Sequence, residues 1–501
     1  MLCRSEILAF ASAAGAADEC PRTAFEAMDR VDMQFLAYAS ALYLVRFRGA
    51  VDEYREAVGD TPPYCSLGTT LVFQTVAGEV RICGPGDDAN TSCGALVIDL
   101  GGNDSYTSPH ELLNPFANPF TAVVDLGGND RYTDDNKQGS LACGVYGLSV
   151  LADLGGNDSY SCLEAGLGAA YFGTGVLIDY AGDDMYASSK GMTQGAAHFG
   201  AGVLSDLGGN DDYICGYEGQ GFGSTRGVGL LVDVAGNDNY RVSDTAMMSA
   251  AFGDRPISFA QGAAFGRRSD FGDGHSLAGG IGILAEGAGN DHYHGAIYCQ
   301  GTAYWWGLGI CEDKAGDDSY RCLWYSLGSA PHFAIGCMVD VKGNDRYNAD
   351  AKDAVTQYQG CARDGSVGVF VDGDGDDHYF LRNRCAGAAD LNSIAVFWDR
   401  YGNDIYETDL SSPYQADPPL GASATYPRMR SFRDYMVTFG FFADTLGADT
   451  YMVDPRDHEG GRKPLCAQNS SWVHHRQYPF FGYGNDGEYF VKVPEAAKEQ
   501  E

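Results

Sequence analysis

Apolar and polar positions repeat as one short word along most of this chain. A typical copy is Leu231-Val232-Asp233-Val234-Ala235-Gly236-Asn237-Asp238-Asn239-Tyr240, or apolar-x-Asp-x-x-Gly-Asn-Asp-x-Tyr. Copies are anchored on Gly102, Gly128, Gly156, Gly182, Gly209, Gly236, Gly289, Gly316, Gly343, Gly375, Gly402, Gly447 and Gly484. The residue five places before that glycine is apolar in nearly every copy, from Val97 to Phe442, and the residue seven before is usually Gly. With the two-residue alternation of a strand, these positions and the first Asp share an inward face. Four places before, the residue changes from Ile98 to Ser205 to Glu312 to Trp398, as an outward position would. Midway between motifs stands a second element, Gln194-Gly195, Gln220-Gly221, Gln261-Gly262, Gln300-Gly301 and Gln359-Gly360. Each unit of about 27 residues thus carries roughly three short extended segments between Gly-rich corners.

Such a unit is too short for a propeller blade and lacks the leucine spacing of leucine-rich repeats. It fits one coil of a solenoid. The expected fold is all-β, a right-handed parallel β-helix with an N-terminal α-helical cap. Coils stacked at the strand spacing of ~4.8 Å would make a rod of roughly 60–75 Å. The gap of 53 between Gly236 and Gly289 reads as two coils, the first without its motif.

Outside the array the pattern changes. Residues 23 to 57 read as helix, with a Thr23/Glu26 capping box and an apolar face of Phe25, Met28, Phe35, Ala39, Leu42 and Val45. That helix is expected to cover the open edge of the first coil. Thr70 to Ile82 reads as a hairpin turning near Ala77-Gly78. The domains expected are a helical cap and linker over 1–68, the array over 69–406, and irregular last coils with a tail over 407–501. Inserts fall at Arg267 to Gly274, Thr408 to Tyr435 and Pro455 to Pro479, and Lys492 to Glu501 is a charged tail expected to fray.

Charge then enters the argument. The formal net charge is -35, yet 45% of residues are hydrophobic and 12% aromatic, so disorder is not expected. No basic patch is available to neutralise phosphates, which argues against nucleic acid. Divalent cations are the natural partners. The motif itself supplies two acid columns: Asp99, Asp125, Asp153, Asp179, Asp206, Asp233, Asp313, Asp340, Asp372 and Asp399 before the glycine, and Asp104, Asp130, Asp158, Asp184, Asp211, Asp238, Asp318, Asp345, Asp377 and Asp404 after it. Glu286 takes the first slot in one copy. Stacked one strand spacing apart, two unit charges repel by roughly 1 kcal/mol in water and ~3–4 kcal/mol at an effective dielectric of 20. Either each carboxylate is capped by backbone N–H groups of the corner, where Gly and Asn tolerate left-handed angles, or Ca²⁺ bridges the coils. All twenty aspartates are candidate metal ligands.

The stretch Leu154-Gly155-Gly156-Asn157-Asp158-Ser159-Tyr160 resembles the hemolysin-type (RTX) calcium-binding nonapeptide. The likeness covers six or seven residues per unit. The RTX repeats run in tandem, whereas here one copy stands in each coil, so their two-sided cation sites do not carry over. The resemblance implies calcium and an exported, bacterial, cell-surface or extracellular setting.

Other features weigh less. The Tyr column, from Tyr106 onward, is expected to be a structural ladder rather than a carbohydrate-stacking strip. Tyr298, Tyr304, Trp305, Trp306, Trp324 and Tyr325 break the consensus and form a candidate aromatic binding patch. Fifteen cysteines show no zinc or haem spacing, and Cys162, Cys215 and Cys322 hold equivalent places, which suits buried thiols. No stretch is long and apolar enough for a membrane span, and Ile7 to Ala17 is a poor signal segment because of Glu6. The expected function is a non-enzymatic, cation-binding structural or adhesive protein, with carbohydrate or another surface protein as possible partners. The alternative is a polysaccharide-acting β-helix enzyme using Arg267, Arg268, Asp270, Asp273 and His275, or Arg428, Arg430, Arg433, His474 and His475, in the inserted loops.

Overall fold

A computed structural model describes residues 32–58, 70–76, 78–90, 94–107, 120–134, 142–268, 276–350, 352–409, 420–423, 437–453, 471–475 and 480–487. The chain divides into two compact units, Met1–Lys314 and Ala315–Glu501. Each is a parallel β-helix.

In the first unit a coil begins with an Asp-bearing strand, such as Thr174–Asp179 or Ala201–Ser205. It turns through the glycine corner into a Tyr-bearing strand, such as Met185–Ser188 or Asp212–Cys215. A two-residue strand closes the coil, as in Ala170–Tyr171 and Ala197–His198. Each strand pairs in parallel with its counterpart one coil on, in motif register: Leu177 opposite Leu204, Tyr186 opposite Tyr213, Ala170 opposite Ala197. The second unit repeats the plan with Ile335–Asp340, Val367–Asp372, Ile394–Asp399 and Thr438–Asp444. Inward residues alternate with outward ones as expected: Gly202, Leu204 and Asp206 are buried, while Ala201, Val203 and Ser205 are half-buried. Burying each such leucine is worth ~1.5–3 kcal/mol. In the second unit Phe370, Phe397 and Phe442 take that column, stacked 4.9 and 5.0 Å apart.

The motif glycine is demanded by stacking. A Cβ on Gly128 would lie 1.4 Å from the Gly102 carbonyl oxygen, and one on Gly156 would lie 1.4 Å from that of Gly128. Their φ angles, 151° and 153°, lie beyond the left-handed helical region, in territory that only glycine occupies comfortably. The motif asparagines, by contrast, do not use left-handed angles, contrary to expectation. They form an exposed ladder: the Asn129 amide donates to Asn103 Oδ1 at 2.9 Å, and that of Asn157 to Asn129 Oδ1 at 2.8 Å. Left-handed backbone belongs to the Gln-Gly corner instead, where Gln194 has φ 53° and Gly195 φ 75°. This turns the Gln194 side chain inward, and its Nε2 donates to the carbonyls of Tyr186 and Ile214 on successive coils, at 2.9 and 3.0 Å. Gln220 and Gln261 repeat the clamp.

One expectation about the array's irregularities is corrected. The gap of 53 is one coil, because Leu231 pairs directly with Leu284 and Tyr240 with Tyr293. Among the surplus residues Met248–Ser249 pairs antiparallel with Arg255–Ala260, and that second strand itself pairs in parallel with Ile297–Cys299 of the next coil. Gln261 keeps its place in the clamp.

The described helix, α1, spans Met33–Val58; its expected start at 23 lies outside the described residues. The hairpin is present, Leu71–Thr75 antiparallel to Gly78–Ile82, and the second strand starts the parallel stack against Leu96–Asp99. That hairpin occupies the sheet's first edge. α1 packs on the flank. Tyr43, Leu44 and Phe47 lie against the outward cluster of Ala122, Leu148, Val150 and Val176, and Tyr43 stacks on Phe120 at 5.9 Å. The buried side therefore runs through Ser40, Tyr43, Leu44, Phe47 and Val51. The face expected to be buried is exposed at Phe35, Leu42 and Val45. Helical period located the apolar residues, but two apolar faces existed and the sheet selected the wider one.

Candidate metal centre: two buried acid columns

The coil geometry lines up three columns beneath the glycine corner. Tyr rings stack 4.7 to 4.9 Å apart from Tyr106 to Tyr293 in the first unit, with planes within 7° of parallel. They are buried, which makes them an interior ladder and removes the carbohydrate strip. Both Asp columns are buried beside them.

In the first unit, from Asp125 to Glu286, the first column is fully supplied with donors. In the second unit the Oδ1 atoms of Asp372, Asp399 and Asp444 are buried without one, and only their Oδ2 atoms accept tyrosine hydroxyls. Asp153 Oδ1 accepts the Gly155 amide at 3.0 Å, and Oδ2 accepts the Tyr132 hydroxyl of the preceding coil at 2.6 Å. Asp179 takes the Ala181 amide and the Tyr160 hydroxyl in the same way, and Asp206 those of Gly208 and Tyr186. Glu286 conserves both contacts, accepting from Tyr240 at 2.5 Å and from Gly287 at 2.8 Å. The second column has half as many. Asp158, Asp184, Asp211 and Asp238 each accept, through Oδ1, the amide of the equivalent Asp one coil earlier, at 2.5 to 2.7 Å. Their Oδ2 atoms are buried without a hydrogen-bond donor. Asp345 and Asp404 in the second unit show the same arrangement.

Burial and mutual repulsion set the electrostatics. Desolvation, then the charge of Asp153, pushes Asp158 up to about 9; desolvation and Asp206 push Asp211 to about 9. In two pairs the second column is raised further than the first: Asp130 to about 8 against Asp125 to about 6, and Asp377 to about 12 against Asp372 to about 6, desolvation leading in each. At Asp179 and Asp184 the order reverses, with Asp184 at about 7 and Asp179 well above the carboxylate range.

The columns interlock into carboxylate triads. Asp99, Asp104 and Asp125 bring ligand oxygens within 4.8 Å of one another, as do Asp125/Asp130/Asp153, Asp153/Asp158/Asp179 and Asp179/Asp184/Asp206. These acidic clusters are able to hold a metal ion. The donor set is all oxygen and suits a hard cation. The donorless Oδ2 atoms supply the unfilled ligand positions that such an ion requires.

Other candidate residues fall elsewhere. Cys162, Cys215 and Cys322 are buried thiols, as expected. Tyr298 is buried and stacked on Phe259 at 4.6 Å, while Trp306 is exposed. Arg268 lies over Trp305 at 5.6 Å. In the second unit Trp324 stacks on Tyr325 at 5.7 Å. Arg267 is buried. Asp270, Asp273, His275, Arg428, Arg430 and Arg433 lie outside the described residues, and for His474 and His475 only the strand Ser471–His475 is described.

A charged group escaped the sequence reading. On the short third strands of the second unit, buried Asp390 pairs with Arg384 at 3.4 Å and Arg363 at 3.7 Å, and His332 Nδ1 meets Asp364 at 2.7 Å. The equivalent strands of the first unit carry Tyr171, His198, Phe265 and Tyr304. That switch from aromatic to charged was the available signal.

Comparison with family models, with curated proteins and with solved structures returns no match.

Proposed function

We propose that the chain is a non-enzymatic structural or adhesive β-solenoid whose interior acids are neutralised by cations, with Ca²⁺ bridging successive coils. The observation that carries this reading is the second-column Oδ2, a buried carboxylate oxygen with no donor at Asp158, Asp184, Asp211, Asp238, Asp345 and Asp404. Two carboxylates per coil match the charge of one divalent ion. The RTX-like corner supports calcium and an exported setting at or outside the cell surface.

A second reading rests on the same oxygen. One proton per coil, placed on the second-column Oδ2, would turn it into a donor toward the first-column carboxylate and satisfy that oxygen. This demands three groups per coil, against the roughly six to eight oxygen ligands that Ca²⁺ prefers.

Metal analysis of the purified protein, with melting curves in Ca²⁺, Mg²⁺ and chelator, separates the two. Under the calcium reading, metal copurifies in multiples per chain and chelator lowers the melting temperature, since each site contributes ~2.7 kcal/mol at a hundredfold excess over Kd. Under the proton reading, the protein is metal-free and indifferent to chelator.

A further inference from the structure

We propose that α1 is a homodimerisation helix, pairing in parallel with α1 of a second copy of this chain. The inference begins from the helix having two apolar faces of different width. The face on the sheet is broad, through Ser40, Tyr43, Leu44, Phe47 and Val51, the width expected for packing on a core. On the opposite side lies a narrow stripe of Phe35, Tyr38, Leu42 and Val45, exposed by 65, 70, 52 and 71%.

The spacing of that stripe is three, four, three. It is the a/d pattern of a coiled-coil seam, the arrangement that keeps a narrow stripe facing a partner helix. A stripe of large apolar residues more than half exposed is uncommon on a monomer and marks an interaction surface. The simplest partner for a self-complementary stripe is the same stripe across a two-fold axis.

Charge supports the parallel orientation. With Phe35 and Leu42 at a, and Tyr38 and Val45 at d, Arg48 occupies a g position and Glu53 the following e position. In a parallel pair the g residue of one helix meets the e residue of the other, so Arg48 faces the partner's Glu53. Both are exposed. Tyr43, Leu44 and Phe47 sit at b, c and f, facing away from the seam, so dimerisation leaves the docking of α1 on its own sheet intact. The seam narrows at Gly49 and ends at Asp52, which limits it to two described heptads and implies a dissociable dimer.

Sedimentation velocity of the full chain across a dilution series tests this. The expected result is a dimer at tens of micromolar that dissociates on dilution. Leu42→Asp should be monomeric throughout with an unchanged circular dichroism spectrum. If Leu42→Asp loses structure, Tyr38→Asp, still more exposed, takes its place. Mild oxidation of Val45→Cys should yield a disulfide-linked dimer faster than the parent chain does. A chain that is monomeric at every concentration overturns the proposal. So does a dimer that survives Leu42→Asp and is not trapped through Val45→Cys, because its contact then lies on another face.

Discussion

The two aspartate columns come from the same ten-residue word, lie five residues apart and are equally buried, yet they differ in donors. Asp206 accepts from Gly208 and from Tyr186, and each of its oxygens is occupied. Asp211 accepts from Asp184 alone, and its second oxygen is left over. Burial opposes charge on both. In the first unit only the first column has a donor on each oxygen, and the second-column Oδ2 is the oxygen left open to a cation or a proton. The comparison teaches that burial raises both columns, while in the first unit the donors available to each oxygen set them apart.

Breaking the first column should have the largest effect. Asp206→Ala strands the Tyr186 hydroxyl and the Gly208 amide in the interior, at about 1–3 kcal/mol for each unsatisfied group. Urea unfolding should show the sum of the two. A loss no greater than that of Asp211→Asn would erase the distinction between columns.

The pH dependence is next. Asp158 and Asp211 have folded-state values of about 9, above the ordinary carboxylate value near 4. The folded state therefore binds more protons than the unfolded state between these limits. Stability from this source is fully present below about pH 4 and is lost as pH rises toward 9. In chelator the melting temperature should fall between pH 5 and pH 9. With metal bound, the slope reverses, because protons then compete with the ion.

Asp211→Asn sharpens the comparison further. An amide keeps the acceptor for the Asp184 N–H and supplies N–H donors where the Oδ2 lacks one. In chelator at pH 8 the variant should melt at or above the parent temperature. If a metal is bound in saturating Ca²⁺, the variant should melt below it.

A smaller effect is expected from Tyr186→Phe, which removes one donor from Asp206 and keeps the ring stack. The expected cost is about 1.5–3 kcal/mol, as for a hydrogen bond to a charged group. Smallest is Asn210→Ala in the exposed ladder, where water replaces the lost contact and about 0.5 kcal/mol is expected.

Much of this was legible in the sequence. Strict two-residue alternation placed Leu204 and Asp206 inside, because a one-residue slip would have exposed the whole set. The turn-linked tyrosine was correctly expected to be a ladder. What escaped were features decided by neighbouring coils. The role of Gly128 depends on the carbonyl of Gly102, and the pairing of Leu231 with Leu284 passes over a long detour that spacing alone counted as a coil. The choice between the two faces of α1 was made by a sheet surface that the helix sequence does not encode. Likewise, the difference between the aspartate columns depends on a tyrosine hydroxyl from a neighbouring coil.

The detour between Val242 and Gln261 has a practical consequence. The chain makes a short antiparallel pairing of Met248–Ser249 with Arg255–Ala260, whose second strand already stacks on Ile297–Cys299, and the Leu231–Leu284 and Tyr240–Tyr293 pairings are undisturbed. The scaffold thus already tolerates cargo at this corner. A foreign peptide grafted between Ser249 and Arg255 would be displayed from a fixed address, while the coils above and below keep their registration.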